Sequence, residues 1–138
     1  MRYVAVFDTN ILFSGSVWKG NPYHCLELAR SGQVEGITCQ EILDELTEKL
    51  AIKLNFSNTQ LTETVTDILG FLKLITIPNT LKIIPADPDD DKVIECAMIG
   101  RATHIVTGDR RHLLTMGRYQ DIEIINSADF LRIASSNL

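Results

Sequence analysis

The sequence predicts an α/β fold in which a small, mainly parallel sheet lies between two layers of helices, a three-layer α/β/α arrangement. Short apolar runs alternate with helical patterns along all 138 residues, and this order implies right-handed crossovers between parallel strands. The run at residues 3–7 is continuously apolar, as expected of a strand buried on both faces. With 45% hydrophobic residues and no linker or repeat, residues 1–138 are expected to form one domain.

The first half of the chain predicts two strands, a loop and three helices. The strands are expected at residues 3–7 and 34–38, the loop at residues 8–19, and the helices at residues 21–30, 40–54 and 57–72. Asn21 and Pro22 are typical of a helix cap followed by the first helical position. Ser57 and Gln60 have the spacing of a capping box, which begins the third helix.

The second half predicts further strands and two more helices. Strand candidates lie at residues 74–77, 81–84, 104–107 and 122–125, and helices at residues 87–100 and 127–135. Pro78 separates the first two candidates, of which at least one is expected to be a strand. The acidic run at residues 87–91 suits a helix start because acids there complement the helix dipole. Ser127 is the expected cap of the last helix.

Composition restricts the class of function. The net charge is −5 and the pI about 5.1, whereas a protein that binds nucleic acid through charge alone should be basic. No apolar run reaches membrane length and no secretory signal is readable at the N-terminus, so a cytoplasmic protein is expected. The cysteines are few and widely spaced and are expected to be reduced core residues.

Two carboxylates follow apolar strands. Asp8 ends the run at residues 3–7, and Asp109 follows the run at residues 104–107. Ligands of parallel sheets bind beyond the carboxyl ends of the strands, and these two strands are expected to be neighbours. Converging carboxylates repel one another unless a cation joins them, and Mg²⁺ or Mn²⁺ is the usual one.

Helical geometry selects two further acids. At 100° per residue, Glu45 lies roughly 115° from the centre of its helix's apolar stripe, nearer than the other acids of that helix. In the acidic run, Asp90 lies near the centre of the inward face and Asp91 about 90° away. A carboxylate on an inward face needs a partner, which a metal ion would provide. Asp90 is the first choice for this role and Asp91 the second.

The surroundings of these acids suggest supporting roles. Thr9 and Asn10 are expected to hold the orientation of Asp8, and Thr107 offers a hydroxyl to a metal-bound water or a phosphate. Three nearby cations are candidates for binding substrate phosphate: Lys19, Arg110 and Arg111. The histidines lack the spacing of a metal site, and no nucleophile motif or glycine-rich phosphate loop is present.

Taken in order, these motifs resemble the PIN domain family, especially its stand-alone prokaryotic branch of VapC type. The resemblance rests on the sequence Asp8-Thr9-Asn10 after an apolar strand, the helical segment EILDEL, and the segments DPDDDKVIECA and IVTGDRRHLL, and it spans essentially the whole chain. The family's first acid corresponds to Asp8, its second to Glu45 and its last to Asp109. Its third acid falls on Asp90 or Asp91.

The resemblance implies a ribonuclease that depends on Mg²⁺ or Mn²⁺ and hydrolyses RNA phosphodiester bonds. In that interpretation Asp8, Glu45, Asp90 and Asp109 are the catalytic acids, and one or two cations bind among them. The family further implies a toxin paired with an antitoxin protein, and a homodimer. The RNA target, the cleavage sequence and the number of cations stay open.

Three other functions compete with this hypothesis. A phosphatase with an aspartyl nucleophile also begins with an apolar strand and an Asp, but its chemistry commonly uses a second acid where Asn10 stands. A phospho-receiver domain needs a central Asp after a strand and a late Lys, and neither is found where expected. In a non-catalytic interaction module, the acids would only cap helices.

Overall fold

The computed structural model describes residues 2–81 and 88–135, with the backbone alone at residues 88 and 89. The strands of this part of the chain are β1 (Val4–Phe7), β2 (Glu35–Cys39), β3 (Leu72–Ile75), β4 (His104–Val106), β5 (Arg118–Tyr119) and β6 (Ile122–Ile125). The helices are α1 (Thr9–Val17), α2 (Asn21–Arg30), α3 (Gln40–Leu54), α4 (Asn58–Leu69), α5 (Pro88–Ile99), α6 (Leu113–Met116) and α7 (Ser127–Ser135).

The strands form one sheet in the order β3-β2-β1-β4-β6-β5. All neighbours are parallel except β5 and β6, which are antiparallel. β1 lies between β2 and β4, with Ala5 opposite His104 and Phe7 opposite Val106. The expected adjacency of the strands that precede Asp8 and Asp109 is therefore confirmed.

Helices cover both faces of the sheet. Successive residues of a strand point to opposite faces, and Gly36 and Ile37 of β2 illustrate this. A Cβ atom at Gly36 would lie 3.2 Å from Cβ of Ala29 in α2, whereas a Cβ atom at Gly100, directly after α5, would lie 2.3 Å from Cδ1 of Ile37. Thus α2 and α5 lie on opposite faces, and the predicted three-layer α/β/α architecture is confirmed.

The predicted loop at residues 8–19 is wrong, since most of it forms helix α1. Asp8 caps this helix: its carboxylate accepts a hydrogen bond from the backbone N–H of Thr9. Gly15 suggested a loop, but α1 packs closely on α2 at this residue, where a Cβ atom would lie 2.6 Å from Cδ1 of Leu26. Glycine is here a requirement of helix packing rather than a sign of a turn.

Several predicted boundaries need smaller corrections. Gly20 rather than Asn21 precedes α2, and no side chain caps that helix. The side chain of Asn126 accepts the backbone N–H of Asp129, so Asn126 takes the capping position predicted for Ser127. α4 ends at Leu69 and the following strand begins at Leu72, not at residue 74. Of the strand candidate at residues 81–84, residues 82–84 lie outside the described residues.

Two short elements were not predicted at all. Helix α6 and strand β5 lie between Asp109 and β6, in a stretch too short for either hydrophobic period to be visible. β5 pairs only with β6, at the edge of the sheet. Both elements make tertiary contacts: Leu113 of α6 is fully buried, and β5 is hydrogen-bonded to β6.

Other local predictions hold. The capping box is present, with the Ser57 hydroxyl accepting the backbone N–H of Gln60 and the Gln60 side chain accepting that of Ser57. Cys25, Cys39 and Cys96 are buried and carry free thiols. Within the described residues, no helix combines the length and the apolar character that crossing a bilayer requires.

His104, buried on β4, gives the fold a pH dependence. Burial lowers the pKa of His104 below its usual value of 6.5, against the opposing effect of Glu123, whose carboxylate lies 3.1 Å from Nε2. As the pH falls through 6.5, the unfolded chain therefore takes up its proton first, and the folded state loses stability until the lower folded pKa is passed.

We expect the free energy of unfolding of the wild type to fall relative to that of His104→Phe between pH 7 and pH 5, as urea titrations would measure. The phenyl ring keeps the aromatic contacts with Tyr3 and Phe130 and removes the titration. His24→Phe, at an exposed histidine, is the matched control. A stability difference that does not change with pH would contradict this prediction.

Candidate metal centre

Asp8 lies directly after the carboxyl end of β1 and is the first acid of the candidate centre. It is only 5% exposed, and its backbone carbonyl accepts the N–H groups of Ile11 and Leu12 in the first turn of α1. Its carboxylate accepts two hydrogen bonds of 2.7 Å, from the backbone N–H of Thr9 to Oδ1 and from the Thr107 hydroxyl to Oδ2. Burial nevertheless raises the pKa of Asp8, and the negative charge of Glu45 adds to the increase.

Thr107 connects the two strand ends. Its hydroxyl donates to Asp8 and accepts the backbone N–H of Asp109 at 3.0 Å. The Thr107 side chain is fully buried, its contact with Asp8 is buried as well, and its contact with Asp109 is partly buried. One hydroxyl thus ties the acid after β1 to the acid after β4.

Asp109 is oriented by the backbone that follows it. Its carboxylate accepts N–H groups from Arg111 at 3.1 Å, His112 at 3.4 Å and Leu113 at 3.1 Å. Burial alone would raise the pKa of Asp109, but a hydrogen bond with Asp90 and these backbone N–H groups lower it overall. The chain therefore holds Asp109 as an anion in a defined orientation.

Asp90, in the first turn of α5, meets Asp109 and His112. A side-chain contact with Asp90 helps to lower the pKa of Asp109, and ligand atoms of the two carboxyl groups lie within 4.8 Å of each other. Nδ1 of His112 lies 3.5 Å from Oδ2 of Asp90 and 3.6 Å from Oδ2 of Asp109. We call these three residues the Asp109 half of the centre. Asp91 is buried as well, at 6% exposure against 8% for Asp90.

Glu45 and Asp8 face a different counter-ion, Lys92. Nζ of Lys92 lies 3.2 Å from Oε2 of Glu45, and only 13% of the lysine side chain is exposed. The same lysine lowers, and Glu45 raises, the pKa of Asp8. We call Asp8, Glu45 and Lys92 the Asp8 half. The four predicted acids thus divide into two halves that Thr107 joins.

The donor atoms of the Asp109 half fit a divalent cation. Asp90, Asp109 and His112 each offer one ligand atom, and these atoms lie within 4.8 Å of one another. Two carboxylates this close together repel each other, and a cation bound between them relieves the repulsion. Carboxylate oxygens are the ligands that Mg²⁺ and Mn²⁺ prefer.

The other predicted residues lie around the centre with different contacts. Asn10 is exposed, and its side-chain oxygen accepts a hydrogen bond from Lys49 rather than donating to Asp8. Lys19, Arg110 and Arg111 are all exposed. Of these cations, Arg110 lines a cavity of about 300 Å³ that also includes Thr107, Gly108, Leu114 and residues 126–128 at the start of α7.

Comparison with known families matches residues 4–111 to the PIN domain. The matched range covers most of the chain and contains the Asp8 half and both carboxylates of the Asp109 half, and it ends one residue before His112. The chain belongs to the PIN domain family.

A solved structure shows the same fold. One chain in the crystal structure of VapBC2 from Rickettsia felis, bound to a DNA fragment from their promoter, superposes on this PIN domain with a TM-score of 0.62. The match covers 89% of this chain and 98% of the other, at 17% sequence identity. A search of curated proteins finds no match.

Two residues of this PIN domain's centre were missed from the sequence. His112 was not predicted to be a metal ligand, because the histidines lack the spacing of a metal site. Lys92 directly follows the acidic run and was not considered. Its position two residues after Asp90 gave no signal, because residues two apart on a helix do not face each other, and the distance to Glu45 of α3 depends on how the helices pack.

Proposed function

We propose that this PIN domain is an endoribonuclease that hydrolyses RNA phosphodiester bonds with Mg²⁺ or Mn²⁺. The observation that carries the proposal is the contact of Asp90, Asp109 and His112 beside Asp8, at the carboxyl end of the parallel sheet. Acids from three separate elements approach one another there, and one of them, Asp8, is buried against the usual preference of a carboxylate.

A divalent cation, when bound, would lower the pKa of a water molecule and neutralise charge on the phosphate oxygens. Asp90 and Asp109 would hold that cation. Asp8 and Glu45 would accept protons or hydrogen bonds from water at the Asp8 half, where Lys92 limits the accumulated negative charge. Thr107 would hold the Asp8 carboxylate and the Asp109 backbone in fixed positions relative to each other.

The proposal is tested by incubating single-stranded RNA with the wild type and with Asp8→Asn in the presence of Mn²⁺ or Mg²⁺. Cleavage by the wild type and a loss of more than about a hundredfold in the variant are expected, since even residues that only orient metal ligands contribute 10–100-fold. Equal cleavage by the two proteins, or no cleavage with any divalent cation, would contradict the proposal. Turnover of a phosphomonoester instead of RNA would indicate a phosphatase.

Arg110 is the cation best placed to bind substrate. Its cavity adjoins Thr107, so a phosphate there would lie beside the reacting bond. We expect Arg110→Gln to raise KM for RNA about tenfold, the equivalent of about 1.4 kcal/mol, with a smaller effect on kcat. Arg111→Gln, at an exposed neighbour that does not line the cavity, is the control. A larger effect on KM from Arg111→Gln or Lys19→Gln would reassign the phosphate contact.

We further propose that the protein is a cytoplasmic toxin, forms a homodimer and is inhibited by an antitoxin protein. The likeness in fold to a chain of the VapBC2 complex supports this, as do two large apolar side chains on the surface, Trp18 at 56% and Ile52 at 75% exposure. Induced expression should arrest growth with the wild type and not with Asp8→Asn, and light scattering should give twice the chain mass. Unimpaired growth with the wild type would argue against a toxin.

A further inference from the structure

His112 stands where a third metal ligand would stand. Its Nδ1 atom is 3.5 Å from Oδ2 of Asp90 and 3.6 Å from Oδ2 of Asp109. Ligand atoms that share one ion through bonds of about 2.0–2.2 Å, at angles of 90–110°, lie about 2.8–3.6 Å apart. The two separations from Nδ1 of His112 lie at the upper end of this range, so they fit ligands of one ion with little or no contraction.

The fold holds His112 at this position. Its backbone N–H donates to Oδ1 of Asp109 at 3.4 Å, and its carbonyl accepts the N–H of Met116 at 3.2 Å in α6. The next residue, Leu113, is fully buried and donates its N–H to Oδ2 of Asp109. The imidazole is therefore placed by the same turn that orients the Asp109 carboxylate, and 27% of its side chain is exposed.

The other half of the centre already contains a positive charge. Lys92 forms an ion pair of 3.2 Å with Glu45 and lowers the pKa of Asp8. A divalent cation near Glu45 would have to displace this ammonium group. At the Asp109 half, two carboxylates and an imidazole face one another, and the repulsion between the carboxylates is relieved by a cation. The Asp109 half is thus the favoured location for the first cation.

We propose that His112 is a nitrogen ligand of this cation and that it shifts the preference of the site from Mg²⁺ towards Mn²⁺. The inference rests on the proposed metal-dependent function and assigns the selectivity of that same site. Imidazole binds transition-metal ions better than Mg²⁺, which prefers carboxylate, carbonyl and water oxygens. Asp90 and Asp109 supply the charge, and His112 supplies the selectivity.

Calorimetric titration of the metal-free full chain with Mn²⁺ and with Mg²⁺ tests the proposal without measuring activity. His112→Ala should weaken Mn²⁺ binding by at least about tenfold and change Mg²⁺ binding much less, so that the ratio of the two affinities falls. In the wild type, bound Mn²⁺ should show magnetic coupling to a ¹⁴N nucleus by pulsed electron paramagnetic resonance, and this signal should be absent in His112→Ala.

Two further variants separate the explanations. His112→Asn, which offers an oxygen in place of the nitrogen, should bind Mg²⁺ more strongly relative to Mn²⁺ than the wild type does. His24→Ala, at an exposed histidine of α2, should leave both affinities unchanged. Circular dichroism spectra and melting temperatures of all variants verify that each one folds.

An unchanged affinity ratio in His112→Ala, or a ¹⁴N signal that persists in it, would overturn the role of His112. If Asp90→Asn abolished Mn²⁺ binding in the same experiment, the proposed metal-dependent function would stand without that role. If the wild type bound neither cation, both the role of His112 and the metal dependence would be wrong.

Discussion

Asp90→Asn should abolish RNA cleavage and Mn²⁺ binding together. Asp90 is 8% exposed, and its Oδ2 atom lies 3.5 Å from Nδ1 of His112, so the substitution removes one negative charge from the Asp109 half and leaves only a neutral, weaker oxygen ligand. We expect cleavage to fall by more than about a hundredfold. A Mn²⁺ concentration of a hundred times Kd should stabilise the wild type by about 2.7 kcal/mol, and this stabilisation should vanish in the variant.

Asp91→Asn is the matched comparison, because the sequence left these two neighbours as alternatives. Asp91 is equally buried, at 6% exposure, but it does not belong to the group formed by Asp90, Asp109 and His112. Its variant should keep Mn²⁺-dependent stabilisation, measured as the shift in melting temperature on adding Mn²⁺. If Asp91→Asn loses the shift and Asp90→Asn keeps it, the third acid of the site is Asp91.

Thr107→Val should impair both stability and catalysis. Valine has nearly the same shape as threonine but removes the hydroxyl that donates to Asp8 and accepts from Asp109. Leaving these buried groups without a partner should cost about 1–3 kcal/mol in the free energy of unfolding. The substitution should also raise the pKa of Asp8 further, since the hydrogen bond from Thr107 is the largest of the influences that lower this pKa.

Catalysis should fall by about 10–100-fold in Thr107→Val, because the acids at the two strand ends lose their common partner. Thr107→Ser, which keeps the hydroxyl, should recover most of the activity. Thr115→Val, at an exposed threonine whose hydroxyl donates to the carbonyl of Arg110, should affect both properties little. Urea titrations and initial cleavage rates measure the two effects. A fully active Thr107→Val variant would show that catalysis does not need the hydroxyl that connects Asp8 and Asp109.

Much of the fold could be predicted because its signals are local. The apolar run of β1, the helical spacing of α3 and the capping box of α4 depend on residues within one or two turns of one another. Helix α1 was missed because Gly15 and the serines around it are typical of loops. Its helical state depends on packing against Leu26 of α2, which no local pattern reports.

The candidate centre could be predicted only in outline. Asp8 and Asp109 could be chosen because each follows a strand and those strands were expected to pair. Glu45 could be chosen because it lies at a smaller angle from the centre of the apolar stripe than the other acids of its helix. For Asp90 and Asp91, helical geometry gave a first and a second choice, and the structure buries both residues. His112 and Lys92 acquire their roles only from atoms on other elements.

The sequence by itself determined the alternation of most strands and helices, the presence of acids at the strand ends and the resemblance to the PIN domain, because hydrophobic periods and short motifs carry this information. Only the tertiary structure decided that the acids divide into two halves, one facing Lys92 and the other His112. That division depends on distances of a few ångströms between α3, α5 and the turn after β4. Such distances are set by how whole elements pack, which sequence spacing does not encode.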